Sequence, residues 1–140
     1  MALKLKLEEI ETQPDAKGLT SAFKTAKQKQ VEAIMTVAGP RFFAERQRIV
    51  ELAANYRLPA IYPTKDYVDE GGLMSYGVDY VDLYRRAANY VDKILKGAKP
   101  ADLPVQQATK FEFVINLKAA KQIGLTLSPD LIARANQVIK

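Results

Sequence analysis

The chain has 140 residues, 48% of them hydrophobic and 26% charged, which is enough for one globular domain with a single core. Cys, His and Trp are absent, so disulfides, Cys/His zinc sites and Ser-His-Asp or Cys-His nucleophiles are excluded. The net charge is +5, but carboxylates interrupt the cations along the chain, which predicts a solvated basic surface rather than a nucleic-acid partner.

The first two predicted elements are a strand and a helix. Leu3, Leu5 and Leu7 alternate with charged residues, a period of two that is typical of a half-buried strand at a sheet edge. Asp15 follows Pro14 and is the candidate N-cap of an amphipathic helix. Apolar residues recur along that helix at i, i+3, i+4 and i+7 spacing, namely Leu19, Ala22, Phe23 and Ala26.

The next stretch alternates strands with helices. Residues 33–38 are nearly all apolar, as in a strand that is covered on both faces of a parallel sheet, and Gly39-Pro40 ends this strand and opens a helix. Residues 59–62 and 73–77 are predicted as two short strands, with a loop or a single helical turn at residues 64–72 between them. The apolar positions of the intervening helix are Phe42, Ile49, Ala53 and Tyr56.

The strongest helix signal begins at Asp79. Acidic residues lie in its first turn and lysines in its last, and Gly97 is the stop signal. Its apolar positions recur at helical spacing and are Tyr80, Tyr84, Ala87, Val91 and Ile94.

The composition changes after a connector at residues 99–104 that contains two prolines. Two strands are predicted at residues 105–108 and 111–115, followed by a short helix that Gly124 closes. A last helix is predicted to start at Ser128 and to run through Val138, because a hydroxyl N-cap is followed by Pro and Asp.

Alternating strands and helices predict the fold class, which is α/β with a doubly wound parallel sheet. Residues 1–98 are expected to form this α/β lobe. Residues 99–140 are expected to be a C-terminal strand-helix appendage that packs against something else.

Cofactor and catalytic signatures are absent from the sequence. Neither G-x-G-x-x-G nor the G-x-x-x-x-G-K-[ST] phosphate loop occurs, so no nucleotide cofactor is predicted. Asp66, Asp69 and Glu70 lack the calcium-loop pattern and are expected to form a solvated acidic turn rather than a metal site. Without a pair of catalytic carboxylates the chain is predicted not to be an enzyme; a hydrolase or transferase that uses Asp66 or Asp79 is the remote alternative.

Ligands of open α/β sheets bind at the carboxyl ends of the strands, where aromatic, small and polar residues gather in this sequence. The candidate ligand-binding residues are Gly39, Phe42, Tyr62, Ser75, Tyr76 and Asp79. In this interpretation Gly39 and the helix start receive a carboxylate, Asp79 meets an amine, the serine hydrogen-bonds and the tyrosines stack on the ligand. Tyr62 and Tyr76 also fit side chains that merely line the sheet edge, and Phe43 is expected in the core.

An ordered run of segments resembles one known family over nearly the whole chain. The segments are RIVELA (48–53), RLPAIY (57–62), GGLMSYG (71–77), residues 87–96, KPADLPV (99–105) and FVINLKAA (113–120). They resemble the C-terminal half of ABC-transporter substrate-binding proteins of the tryptophan/tyrosine-binding type, which have the type I periplasmic-binding-protein fold.

The resemblance implies a two-lobed, hinge-closing receptor that binds a small molecule such as an aromatic amino acid, without catalysis, and delivers it to an ABC permease. Four of the candidate residues would face the interlobe cleft, namely Tyr62, Ser75, Tyr76 and Asp79. The chain from Pro104 onward would cross back toward the N-terminal lobe. The family is periplasmic. This chain as written shows no signal-peptide pattern and no apolar run near the ~20 residues that span a bilayer, so it is expected in the cytosol.

The sequence also departs from the family. Members are about twice as long, and their N-terminal lobe and the first strand and helix of their C-terminal lobe have no counterpart here, so a truncated solute-binding protein is expected. A strand at residues 3–7 without its neighbour would leave backbone groups unpaired. We therefore expect a homodimer formed by strand exchange, or a shift of that strand beside residues 34–37. The alternative function is a dimeric interaction or scaffold module whose former cleft surface is the self-association interface.

Overall fold

The structure is a computed structural model that describes residues 5–140. Its centre is one five-stranded sheet whose strands lie in the order of the chain. The strands are β1 (Ile34–Met35), β2 (Ala60–Tyr62), β3 (Met74–Val78), β4 (Phe111–Asn116) and β5 (Gln137–Ile139). β1, β2 and β3 are parallel, β4 is antiparallel to β3, and β5 is parallel to β4. The predicted α/β class is confirmed. The sheet, predicted as parallel, is mostly parallel, because β4 runs antiparallel to β3.

Seven α-helices and one 3-10 turn accompany these strands within residues 5–140, and the first helix precedes the first strand. They are α1 (Ala16–Gln28), α2 (Pro40–Ala44), α3 (Arg46–Asn55), α4 (Lys65–Asp69), α5 (Tyr80–Leu95), the turn Pro100–Asp102, α6 (Leu117–Ile123) and α7 (Pro129–Ala133). The predicted start of α1 and the predicted end of α6 are confirmed. The Asp15 carboxylate accepts a hydrogen bond from the Gly18 amide at 2.7 Å, and Gly124, at φ 75°, closes α6.

The main core lies between one face of the sheet and the helices α1, α3 and α4. Apolar residues of α1 and α3 pack together there, and Tyr62 of β2 and Tyr67 of α4 complete the cluster. The buried members from the two longer helices are Leu19, Phe23, Ala26, Ile49, Val50 and Ala53. The apolar periodicity read from the sequence therefore marks the face of α1 and α3 that is buried.

The predicted strand at residues 3–7 is wrong in the part that the structure describes; Leu3 lies outside the described residues. Leu5 and Leu7 have no secondary structure, and both side chains are largely exposed. A strand needs backbone partners, and within residues 5–140 no strand pairs with the outer edge of β1. The shift of this segment beside residues 34–37 is therefore not observed either.

β1 is shorter and more exposed than the apolar run at residues 33–38 predicts. Only Ile34 and Met35 are in strand conformation, and the side chains of Met35 and Val37 are exposed. Because β1 is the edge strand, only the face that carries Ile34 packs against the core. The prediction that both faces are covered is wrong.

The C-terminal segment extends the main sheet instead of packing elsewhere. Residues 105–108 form no strand, whereas β4 pairs with β3 along its length. The C-terminal segment is held to the lobe by the pairing of β4 with β3. These strands are far apart in the sequence, so a local sequence pattern does not predict that they pair. The division at residue 98 remains a prediction.

The helix that starts at Ser128 is shorter than predicted. It ends at Ala133, and Val138 lies in β5, opposite Ile115 of β4. Asn136 directs this change, because its amide donates to the Phe113 carbonyl at 2.8 Å and its side-chain oxygen accepts from the Phe113 amide at 2.8 Å. Pairing with β4 therefore overrides the local helical pattern.

Gly77 in β3 permits the close approach of β3 to the end of β2. A Cβ at this position would collide with the backbone carbonyl of Pro63. We expect Gly77→Ala to lower the free energy of unfolding by about 1–3 kcal/mol, the usual cost of overpacking, as measured by urea denaturation. The matched control is Gly39→Ala, where a Cβ would meet only the Phe42 ring at 4.0 Å, with an expected change within about 0.5 kcal/mol. Equal stabilities of the two variants would contradict this packing.

Candidate functional site

The carboxyl ends of β1, β2 and β3 lie side by side at one edge of the sheet. The Thr36 amide donates to the Ile61 carbonyl at 3.3 Å, which continues the parallel ladder one residue beyond β1. Gly77 lies against Pro63, just after β2. The structure thus brings together the strand ends from which the candidate residues were chosen.

Tyr62 and Ser75 are cross-strand partners in the buried interior of this edge. The Tyr62 ring stacks on Tyr67 with centroids 4.8 Å apart and an interplanar angle of 8°. Burial raises the pKa of the Tyr62 hydroxyl far above its ordinary value, with a smaller contribution from Tyr67. The face of the sheet that carries Tyr62 and Ser75 is therefore closed to solvent at this edge, because both side chains are buried.

Tyr76 lies on the opposite face of β3 and is 56% exposed. Its ring stacks on Phe111 with centroids 5.7 Å apart and meets Phe113 edge-on at 6.3 Å. Three aromatic rings from β3 and β4 therefore form a partly exposed patch next to the strand ends, which is a suitable surface for another flat or apolar group.

The residues around α2 divide between the core and the surface. Phe42 packs against the main core, whereas Phe43, which was expected in the core, is 39% exposed. Consecutive helical side chains point about 100° apart, and in α2 the side that faces the core carries Phe42. Gly39 precedes the helix in an extended conformation and is half-buried.

Phe43 covers Tyr67 and is itself held by Arg46. The rings of Phe43 and Tyr67 meet edge-on at 6.3 Å. The guanidinium carbon of Arg46 lies 4.8 Å from the Phe43 centroid, and its Nη2 lies 3.0 Å from a carboxylate oxygen of Glu70. A cation-π contact and an ion pair thus anchor the cover over Tyr67.

Three hydroxyl groups near these strand ends escaped the sequence analysis. The hydroxyl oxygens of Thr36, Thr64 and Tyr67 are buried and have no hydrogen-bond partner among residues 5–140. A buried polar group left unpaired costs about 1–3 kcal/mol, so such groups call for an explanation. Their signal in the sequence was weak: Thr36 lies inside the predicted strand at residues 33–38 and Thr64 in the predicted loop at residues 64–72, and threonine is typical of both.

Asp79 and Asp82 fasten the start of α5 to the start of β4. The Asp79 carboxylate accepts from the Asp82 amide at 3.0 Å, and its own amide donates to the Lys110 carbonyl at 3.1 Å. Asp82 is 8% exposed. Its carboxylate lies 2.8 Å from Lys110 Nζ and 2.8 Å from Arg86 Nε, and the hydrogen bond from Lys110 is the largest cause of its lowered pKa.

Metal ligation receives no support in the described chain. Between residues 5 and 140 no group of three or more acidic side chains is arranged to hold a metal ion. Every helix in the same range is too short or too polar to cross a membrane.

Comparisons with known proteins give one family. The sequence matches the family described as "ABC transporter substrate binding protein" over residues 2–139. A search of curated proteins gave no match. Two similar solved structures are a conserved domain protein from Vibrio cholerae O1 biovar eltor, with 29% identity and a TM-score of 0.78, and an ABC domain in complex with L-Trp from Streptococcus pneumonia, with 30% identity and a TM-score of 0.75.

These alignments cover most of this chain and less than half of each relative. They span 86% of this chain, but 40% of the Vibrio protein and 42% of the Streptococcus protein. A ligand-free, open substrate-binding protein with adhesive properties from Clostridium difficile shares the fold at 16% identity and a TM-score of 0.61, over 87% of this chain and 41% of that one. The chain therefore spans about two fifths of the length of these relatives.

The ion pairs of Asp82 predict a pH-dependent contribution to stability. Because its folded pKa is lowered, this contribution is present above the unfolded pKa of about 3.9 and is lost as the pH falls through the folded value. We expect Asp82→Asn to reduce the free energy of unfolding at pH 7 and the difference from the parent protein to disappear at low pH, as measured by urea denaturation.

Asp92→Asn is the matched control for this experiment. Asp92 also pairs with a lysine, Lys96, but both side chains are mostly exposed, and exposed pairs contribute little. An effect of Asp82→Asn no larger than that of Asp92→Asn at pH 7 would contradict the role of Asp82.

Proposed function

The chain belongs to the family of ABC transporter substrate-binding proteins, and we propose that it binds a small amino-acid-like molecule at the carboxyl ends of β1, β2 and β3 without converting it. The observation that carries the proposal is the structural similarity, at 30% identity, to a domain crystallised with L-Trp. The parallel strand ends, the adjoining aromatic patch and the unpaired hydroxyls supply the surfaces that such a ligand needs.

Within this proposal Tyr76 is the main aromatic contact, because its ring is exposed and is supported from below by Phe111 and Phe113. Gly39, Phe42 and Asp79 are further contacts at the strand ends. Tyr62 and Ser75 act from behind the surface, because both are buried.

The same proposal gives the protein a place in an uptake system. Its physiological partner would be an ABC permease, and its location the periplasm, as for the family. Since the chain spans about two fifths of its solved relatives, the described residues supply one side of a cleft, and a ligand held from one side loses part of its contact area. We therefore propose weak binding by this lobe alone.

Ligand binding is tested by thermal unfolding with millimolar L-Trp, L-Tyr and L-Phe. A ligand that binds only the folded state stabilises it by about 1.4 kcal/mol at roughly ten times its dissociation constant, which corresponds to a rise in Tm of about 3–5 °C. Because the chain contains no Trp, the fluorescence of added L-Trp reports binding independently, and recovered ligand should be chemically unchanged.

Tyr76→Ala should remove the ligand-induced rise in Tm, whereas Tyr84→Ala should retain it. Tyr84 is the matched control because it is an exposed tyrosine of α5 and not of the sheet. No rise in Tm with any of the three amino acids would contradict binding of aromatic amino acids.

A second candidate function is self-association, which the orientation of α5 favours. An amphipathic helix normally turns its apolar side toward its own core. In α5 the polar side faces the lobe. Asp82 pairs with Lys110, Arg86 donates to the Thr109 hydroxyl, and the Tyr90 hydroxyl donates to the Pro104 carbonyl. Tyr84 and Leu95, on the apolar side, are 71% and 82% exposed. We propose, as the alternative, a homodimer in which this side of α5 and the aromatic patch around Tyr76 are covered.

The dimer is tested by light scattering and sedimentation over a range of protein concentrations. Leu95→Glu should raise the dissociation constant of the dimer at least ~tenfold, which corresponds to about 1.4 kcal/mol, because a charge would replace an apolar side chain that the partner covers in the dimer. Asn89→Glu, on the polar side of the same helix, should leave it unchanged. A monomer at all concentrations would contradict self-association and leave the single lobe as the functional unit.

A further inference from the structure

The face of the sheet opposite the main core carries only uncharged side chains along β1, β2 and β3. Successive residues of a strand point to opposite faces, and the main core packs on the face that carries Ile34 and Tyr62. The strand registers place the alternate residues side by side on the other face, which we call the second face. Its residues in these three strands are Met35, Ile61, Met74, Tyr76 and Val78.

The second face is uncovered on the side of β1. Met35 is 71% exposed, and Val37, two residues further along the chain, is exposed as well. Ile61 and Met74 are half-buried, whereas Ile115, the partner of Met74 in β4, is completely buried. Parallel strands are normally covered by helices on both faces. Among residues 5–140, a covering element is therefore missing from the β1 side of this face.

The apolar side of α5 is the other uncovered surface of the lobe. At about 100° per residue, Tyr80, Tyr84 and Val91 fall within about 40° of one another, and all three side chains are exposed. The opposite side of the helix is fixed to the lobe, because the Asp82 carboxylate pairs with Lys110. While this ion pair is made, α5 does not turn its apolar side to its own sheet.

We propose that α5 of one copy packs across the second face of a second copy, and that the second face of the first copy receives the partner's α5 in return. This inference rests on the second candidate function, self-association, and specifies it, because it names the two surfaces that meet. Helices are the usual cover of parallel sheets, and burial of exposed apolar surface drives the association. The same contact made in both directions gives a closed two-fold dimer.

The two surfaces adjoin within each copy and match in size. Val78 ends β3 on the second face, and Tyr80 begins α5 two residues later. The 16 residues of α5 span about 24 Å, which exceeds the length of about 17 Å of the five-residue β3. The apolar side of α5 brings no charge into the contact; its residues are Tyr80, Leu83, Tyr84, Ala87, Val91 and Ile94.

The first test places a charge on the second face. Met35→Glu should raise the dissociation constant of the dimer at least ~tenfold, because the contact would bury an unpaired carboxylate. Gln28→Glu adds the same charge at an exposed position of α1, on the other side of the sheet, and should leave the dissociation constant unchanged. Because Met35 is exposed in the single copy, far-UV circular dichroism of monomeric Met35→Glu should equal that of the parent protein.

The second test mixes two variants that each associate weakly with themselves. Val91→Lys places a positive charge on the apolar side of α5 and should weaken self-association as Met35→Glu does. An equimolar mixture of the two should associate at least ~tenfold more tightly than either variant alone, because the introduced ammonium and carboxylate then meet in one contact and the other contact is unaltered. The control mixture is Met35→Glu with Asn89→Lys, which should gain nothing from this pairing of charges.

Cross-linking gives a measurement that does not depend on affinity. The chain contains no Cys, so a mixture of Met35→Cys and Val91→Cys proteins offers one thiol from each copy. A short thiol-reactive cross-linker should join positions 35 and 91, as identified by mass spectrometry of the linked peptides. Position 89 lies on the far side of the same helix, so Met35→Cys with Asn89→Cys should give little of the corresponding product.

The outcomes separate this arrangement from self-association itself. A dimer that Leu95→Glu weakens but Met35→Glu does not leaves self-association standing and overturns the exchange of α5. A mixture of Met35→Glu and Val91→Lys that associates no more tightly than its components also overturns it, because helix would then meet helix and sheet would meet sheet. Equal cross-linking at positions 89 and 91 contradicts it as well. A monomer at all concentrations overturns both proposals.

Discussion

The stacking of Tyr67 on Tyr62 is the contact on which the arrangement of the strand ends depends. Tyr62 ends β2 beside its buried partner Ser75. Tyr67 lies in α4, which begins directly after Thr64. The stacked rings of Tyr62 and Tyr67, with centroids 4.8 Å apart, therefore hold α4 folded back against the sheet. Gly72 fits this geometry, because a Cβ there would lie 2.6 Å from the Tyr62 ring and 2.6 Å from the Tyr67 carbonyl. The buried hydroxyls and the cover formed by Phe43 follow from this fold-back.

A second constraint acts where the chain leaves the sheet after β3 and returns at β4. Asp79 binds the Lys110 backbone, and Asp82 binds the side chains of Arg86 and Lys110. These polar contacts all lie on one side of α5, so they fix which side of the helix faces its own lobe. The apolar side is consequently turned to solvent, as the exposed side chains of Tyr84 and Leu95 show. The ion pairs thus determine an orientation that apolar burial alone would reverse.

The sequence predicts those features that depend on neighbours along the chain. The caps of α1 and α5 and the glycine that ends α6 are of this kind, and all are confirmed. Strands are different, because a local pattern describes polarity but not the backbone partner. Residues 5–7 and 105–108 are predicted in strands and are not strands, whereas Val138 lies in one because Asn136 binds β4. At the candidate site, strand-end position groups residues that the structure brings to one edge of the sheet. It does not report that Tyr62 is buried or that three hydroxyls are unpaired, since both depend on the fold-back of α4.

The two candidate functions are coupled by the position of their surfaces. The strand ends and the aromatic patch around Tyr76 are next to each other, so a second body that covers the patch also narrows access to a ligand at the strand ends. If that body contacts the ligand as well, each strengthens the binding of the other by the same factor, since coupling free energy is reciprocal. A lobe that spans about two fifths of its solved relatives would then bind ligand weakly alone and more tightly when covered. Ligand affinity measured against the degree of association therefore distinguishes a lobe that binds by itself from one whose site is completed by a partner.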